Sequence, residues 1–173
     1  MKFEKVTFEQ FKKDYISCFL ADVKEITPQI HDQIWDMYQN IRLPQRATAG
    51  SAGYDFYLPM DMLFRHDMEV MIPTGIKVQL DKDKVLMCAP RSGLGTRFAL
   101  RLMNTQGYID SDYYNNPKNE GHIFAKIRME KSGPVLQLRA GEAFMQGIIL
   151  QYFTVDDDNT TAERVGGLGS TSK

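Results

Sequence analysis

Within NTQGYIDSDYYNNP, residues 104–117, an amide, two carboxylates and a phenol stand within ten positions: Asn104, Asp110, Asp112 and Tyr113. A carboxylate can take a proton from water as a general base, and an asparagine presents donor and acceptor together, as reading a nucleobase edge requires. Geometry limits how they cooperate. On a regular strand Asp110 and Asp112 share one face while Tyr113 points to the other, so Asp110 and Tyr113 serve one pocket only if a bulge or turn intervenes. Gly107 before the pair, and Asn115, Asn116 and Pro117 after it, are residues that permit such breaks. The competing reading is a polar hairpin with two solvated aspartates.

A second such stretch is APRSGLG, residues 89–95, after the apolar run KVLMC. Arg91 carries a guanidinium fork suited to phosphate oxygens, Ser92 offers a hydroxyl, and Gly93 and Gly95 let backbone amides approach an anion. The same residues suit an ordinary turn. Gln146, a polar residue inside the apolar GEAFMQGIILQ, can cap a sheet edge or line a site. The stretch ERVGGLGSTSK joins Arg164 to glycines and hydroxyl residues but lacks the GxxxxGK[ST] spacing of a P-loop. It reads either as a disordered terminus or as a mobile lid whose amides and Arg164 close over a polyphosphate. His31, His66 and His122 have no ligand partners at metal spacing, so no protein-built metal cage is expected.

The elements that must hold these groups fall in two regions. Thr7 and Gln10 have capping-box spacing, and Phe8, Phe11, Tyr15, Cys18, Phe19 and Val23 form the apolar stripe of a helix predicted to end near Ile26. Thr27 and Pro28 start a second helix with Ile30, Ile34, Trp35, Tyr38 and Ile41 on one face, which completes a helical hairpin. From Leu43 onward no helix is predicted. Prolines and glycines divide that region into segments such as YDFYL, EVMIPTGIKVQL, KVLMCAP, HIFAKIRM and AFMQGIILQYF, rich in residues that favour strands. Many short strands predict a mainly β sandwich, jelly roll or barrel rather than a parallel α/β sheet.

A chain of 173 residues suffices for one domain with a small appendage. The formal net charge of -1 gives no basic excess, which argues against a general nucleic-acid or anionic-membrane binder and leaves any polyanion to be met by local groups. Cys18 and Cys88 are far apart and outside any CxxC pair, so both are expected as reduced core residues. MKFEKVTFEQFKKDYISC has no apolar h-region and no later run reaches membrane-span length, so a cytoplasmic location is expected.

Taken in order, GSAGYDF (50–56), PRSGLG (90–95), NTQGYIDSDY (104–113), GEAFMQ (141–146) and RVGGLGST (164–171) resemble the five ordered motifs of the homotrimeric dUTPase family. The match covers about residues 42–173. The resemblance implies a mainly β, jelly-roll-like (β-clip) subunit, a threefold assembly with sites at subunit interfaces, and hydrolysis of dUTP to dUMP and pyrophosphate with Mg²⁺. By the family pattern Asp110 is the general base, and Tyr113 packs under the deoxyribose where it leaves no room for a 2′-hydroxyl. Asn104, with the hairpin backbone of Gly107, Tyr108 and Ile109 and with Phe124, falls where uracil is read. Arg91, Ser92 and Gly93 match the triphosphate-binding turn, Gln146 matches a phosphate contact, and Asp55 matches a carboxylate that orients waters on a magnesium held mainly by the phosphates. Arg164, Leu168, Gly169, Ser170 and Thr171 match the lid.

The implied layout is a helical extension over residues 1–41, a β domain over 42–163, and a lid over 164–173 that completes a neighbouring subunit's site. The sequence also departs from the family pattern. Leu168 stands where a phenylalanine usually stacks on uracil, the spacing from Arg164 to the glycine pair is one residue short, and Ala143 replaces a common arginine. YNNPKNE, residues 114–120, lengthens the hairpin, and the N-terminal helices lie outside the minimal pattern. Two rival readings accompany this one: a nucleotide-sensing module that binds a protein partner through residues 1–41, and the fold-related dCTP deaminase. The latter expects a glutamate in the strand after the hairpin, whereas GHIFAKIRM has no acid before Glu130.

Overall fold

A strand that periodicity did not announce comes first: β1 (Lys2–Lys5) pairs antiparallel with β6 (Ile76–Gln79), Phe3 opposite Val78. This is seen in a computed structural model, which describes residues 1–133, 135–164 and 166 of the chain. Helix α1 (Phe8–Phe19) follows, with Thr7 at its N-cap accepting a hydrogen bond from the Gln10 amide at 3.3 Å. The reciprocal half of the predicted capping box is absent. The Gln10 side chain donates forward to Asp14 at 2.7 Å, and the Thr7 amide donates to Glu120 at 3.0 Å instead. α1 stops at Phe19 rather than near Ile26, because Leu20 and Val23 close a turn through their amides and leave Val23 exposed.

Helix α2 (Pro28–Gln39) starts as predicted, with the Thr27 hydroxyl accepting from the Ile30 amide at 3.3 Å and Pro28 in its first turn. The Tyr38 hydroxyl donates to the Val6 carbonyl at 2.8 Å, which fastens α2 to the end of β1. Phe11 of α1 and Ile34 of α2 are both 0% exposed and join the same core as the strands. Burying a side chain of this size contributes about 2–3 kcal/mol.

The remaining strands are β2 (Gln45–Arg46), β3 (Tyr54–Tyr57), β4 (Met62–Phe64), β5 (Glu69–Pro73), β7 (Lys84–Pro90), β8 (Leu100–Leu102), β9 (Gly107–Asp110), β10 (Phe124–Met129), β11 (Leu136–Leu138) and β12 (Ala143–Gln151). They pair antiparallel in the orders β2-β3-β12-β7-β9, β5-β10-β8 and β4-β11, and the architecture is mainly β and jelly-roll-like, as expected. Alternation sets which face is inward: Ala125, Ile127 and Met129 of β10 are buried while Lys126 between them is exposed. No described helix is long and apolar enough to cross a membrane.

One expectation about this region fails. Helix α3 (Ser92–Phe98) follows β7, where no helix was predicted. Two glycines in SGLGTRF lower its intrinsic helicity, so nothing in the composition signals it. Its first turn forms because the Leu94 and Gly95 amides both donate to the Arg91 carbonyl, at 3.0 and 2.9 Å, and it ends where Ala99 adopts a left-handed φ of 50°.

Candidate active site

The first half of the site lies at the C-terminal end of β7. In the sheet Gln146 of β12 stands opposite Asp55 of β3 on one side and Ala89 of β7 on the other. Arg91, just past β7, brings its Nε to 3.2 Å from the Asp55 carboxylate, while its amide donates to the Phe144 carbonyl at 3.2 Å. Phe144 sits at a register shift between Ala143 and Met145, a bulge that lets β12 serve both neighbours here. Gly53 leaves space for the glutamine, since a Cβ there would lie 2.7 Å from Gln146 Oε1. Asp55, Arg91, Ser92, Gly93 and Arg97 line an open cleft of about 680 Å³. Two guanidinium groups and a hydroxyl around an open cleft suit a polyanion. Arg97 escaped the sequence reading because only a helix over 92–98 brings it back beside Arg91. Ala143, where the family favours arginine, stands opposite Tyr57, whose ring is covered by the Arg42 guanidinium at 4.0 Å.

The second half lies at the other end of β7, where Asp110 of β9 stands opposite Val85. The required break is a 3-10 turn at Ser111–Tyr113, which turns Tyr113 inward while Asp110 stays at the surface. Tyr113 is only 6% exposed. Its hydroxyl donates to the His122 carbonyl at 2.9 Å and accepts from Asn119 Nδ2 at 2.8 Å. Burial pushes the Tyr113 phenol up, against the smaller pulls of the Asn119 hydrogen bond and the Arg164 charge, so it remains a protonated donor. Arg164 donates to Asp110 Oδ2 at 2.6 Å and to Asp112 Oδ1 at 2.7 Å, with its guanidinium 5.8 Å from the Tyr113 ring centre. Asp112 is thus a turn residue that shares Arg164 with Asp110.

The segment YNNPKNE folds back beneath Tyr113 instead of prolonging a hairpin. Asn116 and Asn119 are buried, and the Asn116 side-chain amide donates to the Tyr113 carbonyl at 2.9 Å and to Asn119 Oδ1 at 2.7 Å. Left-handed φ values of 55° at Asn115, 57° at Glu120 and 80° at Gly121 make the reversal. At Gly121 a Cβ would lie 2.6 Å from the Tyr113 carbonyl oxygen, so the close approach also requires glycine.

Beside β7 and β9 lies a smaller cleft of about 220 Å³, lined by Cys88, Asn104, Gly107, Ile109, Phe124 and Met145 among others. The Asn104 carbonyl accepts from the Gln106 amide at 2.7 Å and Thr105 is left-handed at φ 66°, which makes the tight link between β8 and β9. Tyr108 turns its side chain to solvent, leaving its backbone on the strand. Burial pushes the Cys88 thiol up to about 12, so it is an apolar wall of this cleft rather than a nucleophile.

Within one chain the two halves do not meet. Arg91 is six residues along β7 from Val85, the partner of Asp110, which at strand rise separates the halves by roughly 20 Å. Asp55, Arg91, Ser92, Gly93 and Gln146 gather at one end, and Asp110, Tyr113 and Arg164 at the other. The cleft with Asn104, Gly107, Ile109 and Phe124 lies alongside. Leu168, Gly169, Ser170 and Thr171 lie outside the described residues. Among the described residues no group of three or more His, Cys, Asp or Glu side chains could hold a metal ion.

The chain is similar to known proteins over most of its length. The family model for dUTPase matches residues 39–119. The deoxyuridine 5'-triphosphate nucleotidohydrolase of Lactococcus lactis subsp. lactis is 38% identical over 138 residues, which span 78% of this chain and 91% of the relative. A crystal structure of dUTPase from Streptococcus mutans superposes with a TM-score of 0.64 at 31% identity, covering 90% of this chain and 99% of that one. A dUTPase from phage phi11 of S. aureus, described as coordinating a structural Mg(II) ion, shares the fold at a TM-score of 0.57 and 17% identity, over 72% and 92% of the two chains. With its order of motifs, its β architecture and a close relative matched over nearly its whole length, the chain belongs to the dUTPase family.

Proposed function

We propose that this chain hydrolyses dUTP to dUMP and pyrophosphate as a homotrimer whose sites each draw on more than one subunit. The observation that carries the reading is the split along β7: Asp110 and Tyr113 at one end, and Asp55, Arg91, Ser92 and Gln146 roughly 20 Å away at the other. A single nucleotide reaches both only if a neighbouring subunit supplies the second half.

Uracil enters the cleft beside Asn104, whose amide reads the base edge together with the backbone of Tyr108, Ile109 and Phe124. The deoxyribose rests on Tyr113, whose buried ring leaves no space for a 2′-hydroxyl. Asp110 accepts the proton of the attacking water. As the new P–O bond forms at the α-phosphorus, the bond to the bridging oxygen breaks and its electron pair leaves with pyrophosphate. Asp110 Oδ2 already accepts from Arg164, so Oδ1 is the oxygen left to face the water. Arg91, Ser92, Gly93 and Gln146 of the neighbouring corner, with Arg97, hold the phosphate chain against its own repulsion.

The residues fit a magnesium ion that arrives with the nucleotide. Asp55, 14% exposed and already paired with Arg91, suits contact through water rather than direct ligation, and Glu142 is a second carboxylate on the same cleft. When bound, the ion supplies charge neutralisation on the polyphosphate. We assign residues 164–173 the part of a lid, with Leu168 in aliphatic contact with the base; Leu168 lies outside the described residues, and Arg164 is paired with Asp110 and Asp112 of the same chain. The product serves thymidylate synthesis in the cytoplasm, and removal of dUTP limits uracil in DNA. Deamination has no comparable support, because Glu130, the first acid after Phe124, lies past β10 and pairs with Arg101.

Co-expression of two inactive chains tests the shared site. Asp110→Asn and Arg91→Ala each abolish most pyrophosphate release alone. Random mixed trimers regain about a quarter of wild-type activity if the two residues act from different subunits. No recovery in mixed trimers would mean that each chain builds its own site.

A further inference from the structure

The segment beneath Tyr113 is held by the N-terminal residues as well as by Lys77 and Gly75 of the β domain. His122 is 0% exposed, and its Nε2 accepts the Gly75 amide at 2.7 Å, so that nitrogen carries no hydrogen. The ring proton therefore sits on Nδ1 and is donated to Asp14 Oδ2 of α1 at 2.6 Å. The same oxygen accepts from the Gln10 side chain at 2.7 Å, which fixes the carboxylate on the helix. The His122 ring lies with Phe11 of α1 at 6.3 Å and Phe124 of the base cleft at 4.6 Å, and its carbonyl takes the Tyr113 hydroxyl.

A second hold lies at the start of the helix. Glu120 accepts the Thr7 amide at 3.0 Å and the Thr7 hydroxyl at 2.5 Å, with Lys77 Nζ at 3.5 Å. A third joins the Tyr114 hydroxyl to the Glu4 carboxylate of β1. Residues 114–122 are thus bonded to Glu4, Thr7 and Asp14 in turn. Rejecting a 2′-hydroxyl depends on where one ring stands relative to one oxygen atom, so the tethers of that ring bear on selectivity.

We propose that α1 is a positioning element for the sugar platform, with Asp14 and Glu120 as positioning residues through which the N-terminal segment sets discrimination between dUTP and UTP. The inference rests on the reading of Tyr113 given above. It makes YNNPKNE a polar plug that transmits the position of α1 to the Tyr113 ring.

The readout is the ratio of kcat/KM for dUTP to that for UTP, measured on purified full-length protein whose fold is checked by near-ultraviolet circular dichroism. Tyr113→Ala is expected to lower the ratio by about a hundredfold, and Asp14→Ala roughly tenfold with kcat for dUTP nearly kept. Asp14→Asn, which retains an oxygen to accept the Nδ1 proton, is expected to keep the ratio within about twofold. Glu120→Ala lowers the ratio in the same direction, by a smaller factor. Glu120 is 28% exposed in its side chain, so if Asp14→Ala fails to fold, this variant decides alone. A collapsed ratio in Tyr113→Ala beside unchanged ratios in the Asp14 and Glu120 variants overturns the proposal. An unchanged ratio in Tyr113→Ala removes the sugar-platform reading itself.

Discussion

The two ends of β7, which the proposed site draws together, are built in contrasting ways. At the Arg91 end, side chains stand around an open cleft, and Arg91 holds Asp55 in an ion pair at 3.2 Å that a competing anion can exchange. At the Tyr113 end, the ring is buried, its hydroxyl is held by Asn119 and His122, and its carbonyl by Asn116. The difference follows the ligand parts each end is proposed to meet. A polyphosphate is recognised by charge, which tolerates displacement of an ångström or so, because Coulomb energy varies slowly with distance. A missing hydroxyl is recognised by shape alone, and shape requires a rigid wall.

The strongest way to break this contrast is at the base itself. Asp110→Asn is expected to lower pyrophosphate release from dUTP by about 10²–10⁴-fold, with binding of a non-hydrolysable analogue retained. Next comes the rigidity of the sugar end. Gly121→Ala, at φ +80° and 2.6 Å from the Tyr113 carbonyl, is expected to cost about 3 kcal/mol in chemical denaturation. Gly93→Ala, which meets nothing within 4 Å, should shift stability by well under about 1 kcal/mol. Equal losses for the two glycines would erase the contrast.

A smaller effect separates charge from shape. Arg91→Ala should lower kcat/KM for dUTP by roughly tenfold or more and reduce its salt sensitivity, while leaving the dUTP to UTP ratio unchanged. The smallest effect lies in Glu120. Burial pushes its carboxyl up, but hydrogen bonds from the Thr7 hydroxyl and amide and the charge of Lys77 outweigh this and hold it below its ordinary 4.5. A folded value below the unfolded one stabilises fully above pH 4.5 and is lost as pH falls through the lower folded value. Wild type should therefore exceed Glu120→Gln by at most about 1 kcal/mol near neutrality, since water screens a partly exposed pair. Thermal scans should show that margin closing in acid.

Sequence reading went furthest where a local signal exists. Thr27 and Pro28 announce α2, since cap and first-turn preferences act within a few residues, and the alternation in HIFAKIRM marks β10 because one face of the strand is dry. The need for a turn between Asp110 and Tyr113 also followed from strand geometry, and the 3-10 turn supplies it. Three features carried no local mark. β1 has charged residues at three of its four positions and pairs only because β6 offers an edge. α3 contains two glycines, so its helicity depends on its setting between β7 and β8. Arg97 became a lining residue of the cleft beside Arg91 only once that helix existed.

The residue types and their order determined by themselves which chemistry this protein carries, because a carboxylate, an amide, a phenol and a guanidinium keep their reactivity wherever the chain puts them. Only the tertiary structure decided how they are shared out. Register places Asp110 opposite Val85 and leaves Arg91 six residues further on, just past the end of the same strand, and hydrogen bonds across more than a hundred residues of sequence join Thr7 to Glu120 and Asp14 to His122. Pairing between distant segments follows from packing against a common core, and a linear sequence does not display which segments will share it.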